Sequence, residues 1–124
     1  IACPKNYSPN KKMLSWAKKN KVNLIITTKP DEAVKGSDCV MTDKWVSMND
    51  KVNKKAKKKI LKPFQVNKKL MSKANSGAIF MHCLPVGRGE EVTDEVIDGK
   101  QSVVWRQALN RVHAQKSIIK WCLD

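Results

Sequence analysis

Of the 124 residues in this chain, the four in His82-Cys83-Leu84-Pro85 carry the most chemistry: an imidazole and a thiol side by side. The apolar run Gly77-Ala78-Ile79-Phe80-Met81 leads into them and Val86-Gly87-Arg88-Gly89-Glu90-Glu91-Val92 follows. The pattern predicts a buried strand ending in a polar turn, with Pro85 forbidding its continuation. In an open α/β sheet the crevice beyond the carboxyl ends of the strands is where ligands bind, so a Cys and a His there are placed for chemistry. A second segment, Asp43-Lys44-Trp45-Val46-Ser47-Met48-Asn49, follows another apolar run, and a third, Asn110-Arg111-Val112-His113-Ala114-Gln115, opens the last predicted helix. An arginine fork holds oxyanions without ever deprotonating. Each residue also has a structural reading. A buried Cys is often only a small hydrophobe. Asp43 and Ser47 can cap a turn or a helix, and Met48 and Trp45 can simply pack. His82 and His113 read as structural, satisfied by neighbouring hydrogen bonds.

The elements that must position these residues alternate short apolar strands with polar helices. Ala2-Cys3 belongs to a first strand, and Ser8 or Asn10 opens a helix running to about Asn20 with Met13, Leu14 and Ala17 inward. Val22 to Thr28 is β-branched and predicts a strand. Pro30 starts a short helix that Gly36 ends, and Cys39 to Thr42 is the next strand. After a loop over Asp43 to Asp50, a lysine-rich helix spans Lys51 to Leu61 and Pro63 stops it. Asn67 caps another short helix, and Thr93 caps Asp94-Glu95-Val96-Ile97. Ser102 to Trp105 is a last extended piece, and Ala108 to Leu123 the closing helix. Alternation of this kind implies parallel βαβ units, an α/β fold.

Composition limits the function classes. The length is that of one domain, and 41% hydrophobic residues with four Trp and five Met predict a folded chain. No apolar stretch approaches the ~20 residues needed to cross a membrane, and the start Ile1-Ala2-Cys3-Pro4 has no signal-peptide pattern. The expectation is a soluble cytoplasmic protein cut from something longer. Cys3, Cys39, Cys83 and Cys122 lack CxxC spacing, which indicates neither a zinc site nor a disulfide framework, and no cofactor is expected. The net charge of +14, from 25 Lys and Arg against 11 Asp and Glu, raises nucleic acid as a partner. Specific readers favour arginine, however, and this chain has three; the lysine runs at 11–21 and 51–59 read as solvated helix faces.

Taken together, the segments IACPKNYSP, DEAVKGSDCVMTDKWVSM, FQVN, AIFMHCLP, RGEEVTDEVIDG, SVV and NRVHAQK resemble, in order, the amino-acid-binding domain of the ornithine carbamoyltransferase family. The resemblance covers almost the whole chain. It implies a Rossmann-like parallel sheet with helices on both faces, and transfer of a carbamoyl group from carbamoyl phosphate to the δ-amino group of L-ornithine in arginine biosynthesis. Carried over, Asp43 would bind the α-amino group of ornithine, with Ser47 and Met48 closing over the amino acid. Cys83 and Leu84 would orient the δ-amine and lie beside carbamoyl phosphate, and Arg111 would donate to the carbamoyl oxygen or phosphate. The resemblance also implies a homo-oligomer, a trimer.

This sequence departs from the family pattern at Asn49, where glycine is usual, and at Gly87, where a bulkier, often basic, residue is common. It also has no counterpart of the family's amino-terminal, phosphate-cradling domain, or of the first strand of the second domain, which lies centrally in the sheet. The expectation is therefore an incomplete sheet missing its first, central strand, and residues 1–124 as one ornithine-binding domain, a fragment of a longer enzyme. Two other readings stand beside it: a non-catalytic basic interaction module derived from the family, and a carbamoyltransferase with another amine acceptor such as putrescine or an acylated ornithine.

Overall fold

Two short apolar runs make the sheet. The computed structural model describes residues 1–46 and 53–124. Among these, β1 (Cys39–Thr42) and β2 (Ile79–His82) pair in parallel, with Cys39 opposite Ile79, Val40 opposite Phe80, Met41 opposite Met81 and Thr42 opposite His82. Alternation along β2 buries Phe80 and His82 on one face, which leaves the next residue, Cys83, free to turn out at the strand's end. On the far side of β2, Phe80 bridges Ser102 in parallel: Phe80 N–H donates to Gln101 O at 2.8 Å and Val103 N–H to Phe80 O at 3.0 Å.

Helices fill the crossovers. Before β1 come α1 (Lys11–Lys19), capped by the Asn10 side chain accepting Met13 N–H at 2.9 Å, and α2 (Pro30–Val34), where Pro30 takes the first turn and needs no N–H there. Gly36 follows α2 at φ +70°, a backbone state glycine adopts without steric cost. Between β1 and β2 lie α3 (Lys54–Leu61) and α4 (Lys68–Met71), each opened by an asparagine cap, Asn53 and Asn67. After β2 come α5 (Asp94–Ile97) and α6 (Val104–Leu123). The core gathers Val34, Val40, Val66, Leu70, Met71, Phe80, Val92, Val96, Ile97 and Val104, so both strands, the ends of α4 and α5 and the start of α6 share one apolar cluster. Phe80, at 0% exposure, is its centre, and burying such a side chain is worth roughly 1.5–3 kcal/mol.

Several sequence expectations need correction. Val22 to Thr28 is not a strand: only Thr27 pairs, with Ala2, and Val22 and Ile25 are exposed. The residues have β propensity but, among the described residues, no neighbouring strand whose pleated surface they can half-bury against. The closing helix begins at Val104, not Ala108, because Val104 itself enters the core directly after the Phe80–Val103 bond. Arg111 therefore lies about two turns inside α6 rather than at its opening. The lysine-rich helix starts at Lys54, Lys51 lying outside the described residues. Thr93 precedes α5 but its hydroxyl makes no capping bond. On α1, Ala17 is buried as expected while Met13 is exposed.

The outer edge of β1 pairs with no strand among the described residues. A groove of about 340 Å³ has Ala2, Cys3 and Pro4 together with the β1 residues Val40, Met41 and Thr42 in its lining. The small parallel sheet with its flanking helices is an incomplete Rossmann-like α/β domain.

Candidate active site

Strand register assembles the site. With Thr42 opposite His82, the next opposed pair beyond the carboxyl ends of β1 and β2 is Asp43 and Cys83. The Cys83 thiol donates to Asp43 Oδ1 at 3.0 Å, and Lys44 N–H donates to the same oxygen at 2.6 Å. The thiol and then the Lys44 N–H hold the Asp43 carboxyl below its ordinary value of 3.8, against a smaller opposing effect of burial. The same hydrogen bond, reinforced by burial, holds the Cys83 thiol above its ordinary 9.0, with the Arg111 guanidinium pulling weakly the other way. At neutral pH Asp43 is thus an exposed carboxylate and Cys83 a neutral thiol.

The turn after Cys83 is fixed from beneath. Leu84 sits at φ +55°, a left-handed conformation uncommon for a branched side chain, and its N–H donates to His82 Nδ1 at 2.9 Å. The Leu84–Pro85 peptide is cis. His82 is buried, and its own N–H donates to Gln107 Oε1 at 3.1 Å, which ties β2 to α6. Gln107 and Arg111 are four residues apart on α6 and so share a face. That face and β2 enclose a cleft of about 370 Å³ lined by His82, Cys83, Gln107, Ala108 and Arg111.

Of the residues singled out from the sequence, the structure brings Asp43, Cys83 and Leu84 together at the strand ends and sets Arg111 across the cleft from Cys83. Ser47 and Met48 lie outside the described residues. Trp45 is buried, as its packing role required, and His113 is exposed on α6. Two residues were missed. Gln107 was findable from its i, i+4 relation to Arg111 once the helix is extended to Val104. Glu91 gives no signal in the sequence, yet it is fully buried, with Oε1 accepting Gly87 N–H and lying 3.4 Å from His82 Nε2. No group of three or more His, Cys, Asp or Glu side chains among the described residues is arranged to hold a metal ion.

The site thus consists of a thiol and a carboxylate at adjacent parallel strand ends of a Rossmann-like domain, with a guanidinium lining the cleft beside them. The chain belongs to the aspartate/ornithine carbamoyltransferase family, whose Asp/Orn binding domain matches residues 1–122. It is 58% identical over 123 residues to the ornithine carbamoyltransferase of Rhodopseudomonas palustris, covering 99% of this chain and 39% of that protein. Among solved structures it is similar to ornithine carbamoyltransferase from Pyrococcus furiosus (TM-score 0.85, 45% identity, 96% of this chain and 39% of that one). It is also similar to the anabolic enzyme from Campylobacter jejuni (TM-score 0.89, 36% identity, 98% of this chain and 41% of that one). The chain spans about two fifths of the length of the curated relatives it matches.

Proposed function

We propose that this chain is the ornithine-binding part of a carbamoyltransferase that transfers the carbamoyl group from carbamoyl phosphate to L-ornithine, giving citrulline and phosphate. The observation that carries the reading is the Asp43–Cys83 pair at the ends of β1 and β2, with Arg111 across the cleft. In the reaction the lone pair of the neutral δ-nitrogen attacks the carbamoyl carbon. The tetrahedral intermediate then expels phosphate, which departs with the electrons of the broken C–O bond while the nitrogen sheds a proton. Catalysis of this kind is mainly positioning plus positive charge at the developing oxyanion.

The chain's own residues suit those tasks. The Asp43 carboxylate binds the α-ammonium group of ornithine, and Ser47 and Met48 close over the amino acid. Cys83, a neutral thiol beside Asp43, orients the δ-amine rather than attacking as a thiolate. The left-handed turn at Leu84 aims backbone groups at the reacting atoms, and Arg111 donates to the carbamoyl oxygen or to phosphate. The remaining ligands of carbamoyl phosphate come from an amino-terminal domain outside residues 1–124. An additional parallel strand from that longer polypeptide pairs with the edge of β1 that has no strand partner among the described residues, beside the groove lined by Ala2–Pro4 and β1 residues. The assembled enzyme is a cytoplasmic homotrimer without a cofactor.

The test is citrulline formation from both substrates by the full-length polypeptide, run beside residues 1–124 alone and with putrescine and N-acetyl-L-ornithine as rival acceptors. Ornithine is the preferred acceptor of the full-length protein, and the isolated chain is silent. Turnover by the isolated chain above about 1 per second, an ordinary enzymatic rate, overturns its assignment as half of a site.

A further inference from the structure

The turn that follows Cys83 covers a buried carboxyl group the reaction above does not use. Glu91 is fully buried; its Oε1 accepts Gly87 N–H and faces His82 Nε2, while its Oε2 has no hydrogen-bond partner. His82 Nδ1 accepts Leu84 N–H, so the hydrogen-bond network assigns the ring proton to Nε2 and the imidazole as neutral. His82 Nε2 lies 3.4 Å from Glu91 Oε1 without a hydrogen bond between them, and a buried carboxylate without a counter-charge is strongly destabilising. A cation is close by. A Cβ built on Gly87 would stand 3.0 Å from Lys44 Nζ, 2.7 Å from Glu91 Oε2 and 3.0 Å from Glu90 Oε2. Three charged groups therefore share the room that only a residue without a side chain leaves open. Glu90 already has a cation in Lys58, bonded through its other oxygen, whereas the half-buried Lys44 stands near Glu91 Oε2 without forming an ion pair with it, and Oε2 is left without a hydrogen-bond partner.

We propose that Lys44 is a positioning residue for the Cys83–Pro85 turn: its ammonium group fills the space over Gly87 and supplies the counter-charge to Glu91. Because Glu91 holds Gly87 and faces His82, and His82 holds Leu84, the charge from the β1 side fixes the geometry of the β2 turn. Lys44 thereby locks the Asp43 end of one strand to the Cys83 end of the other. Gly87 is the reciprocal half of the device: a basic side chain there serves Glu91 only when Lys44 is withdrawn. The kinetic consequence rests on the ornithine reading of this turn; the structural consequence does not.

The experiment compares the full-length polypeptide with its Lys44→Met, Lys44→Arg and Lys44→Met/Gly87→Lys variants. Methionine keeps an unbranched apolar stem of nearly the same length and removes the ammonium group. Cys83 alkylation by iodoacetamide is followed peptide by peptide by mass spectrometry, with Cys39 and Cys122, both remote from the turn in sequence, as internal references. Turnover of ornithine is followed in parallel. Lys44→Met is expected to change the Cys83 rate several-fold but not those of Cys39 and Cys122, and to lower kcat roughly 10- to 100-fold, the range a displacement of up to about 1 Å carries. Lys44→Arg and the double variant are expected to restore both. Wild-type Cys83 reactivity in Lys44→Met, or a double variant no nearer to wild type than the single one, overturns the proposal. If even the wild-type protein forms no citrulline, the ornithine reading falls and the alkylation comparison still decides this one. If Lys44→Met does not fold, a double variant that melts cooperatively supports the proposal and one that does not overturns it.

Discussion

Replacing Asp43 by alanine tests the site most directly. A hydrogen bond to a charged group contributes about 1.5–3 kcal/mol, which is roughly 10- to 150-fold in a dissociation constant. Two features of the structure place Asp43 at the lower end. Its carboxylate is exposed, so water competes for it, and Oδ1 already holds the Cys83 thiol and the Lys44 N–H, which an arriving ammonium must share or displace. The expected loss is therefore about 1.5 kcal/mol, or roughly tenfold in ornithine affinity, with carbamoyl phosphate affinity nearly unchanged. Calorimetric titration of the full-length polypeptide with each substrate measures both. A second signature needs no substrate. Asp43 holds the Cys83 thiol above 9.0, so removing it lowers the thiol's pKa and speeds alkylation of Cys83 just below that pH. The sign carries into stability. A group whose pKa is raised on folding stabilises fully below its unfolded value and loses that contribution as pH rises through the folded value, so the wild type weakens on the alkaline side of about pH 9 and Asp43→Ala does so less. Unchanged ornithine affinity together with an unmoved Cys83 profile would refute both the geometry and the role assigned to it.

Three other outcomes follow from the packing and the charge. Phe80→Ala, at the fully buried centre of the core, should cost about 3–5 kcal/mol in a thermal or urea melt, and a loss below about 1 kcal/mol would mean the core is elsewhere. Truncation after His113 removes the exposed Ile118, Ile119, Trp121 and Leu123, of which the last two are 80% and 82% exposed; it should leave the melting of the isolated chain intact and reduce its self-association in sedimentation. RNA binding through the exposed Lys54, Lys55 and Lys59 should be independent of sequence and vanish at moderate salt, and binding that survives physiological salt with a sequence preference would point to an interaction module.

The lysine-rich segment shows how a reading from sequence is refined by structure. Lys54, Lys55 and Lys59 are a solvated face as expected, but Lys58 pairs with Glu90 and Lys57 lies 5.9 Å over the Tyr7 ring, both half-buried. Sequence position gave no warning, because the partners lie 32 and 50 residues away along the chain. On α6, by contrast, sequence and structure agree without a distant partner: Val112, Ile118, Ile119, Trp121 and Leu123 are more than one face of a small domain can bury, and all are exposed.

What the sequence by itself determined was local. Apolar runs bounded by Asp43 and by Pro85 marked two strand ends, asparagine caps at Asn10 and Asn67 marked two helix starts, and the ordered motifs marked the family. These features depend on residues within a few positions of each other, through periodicity, capping and the missing N–H of proline. Tertiary structure decided everything that needs a partner. It left Val22 to Thr28 without a strand to pair with, set the start of α6 at Val104 and so moved Arg111 inward along the helix, and buried Glu91 under the Cys83 turn. Above all it chose the register. Side chains alternate between faces along a strand, so a slip of one residue between β1 and β2 would send Cys83 away from Asp43, and only packing of Val40 and Phe80 in the shared core selects the pairing that brings them within hydrogen-bonding distance.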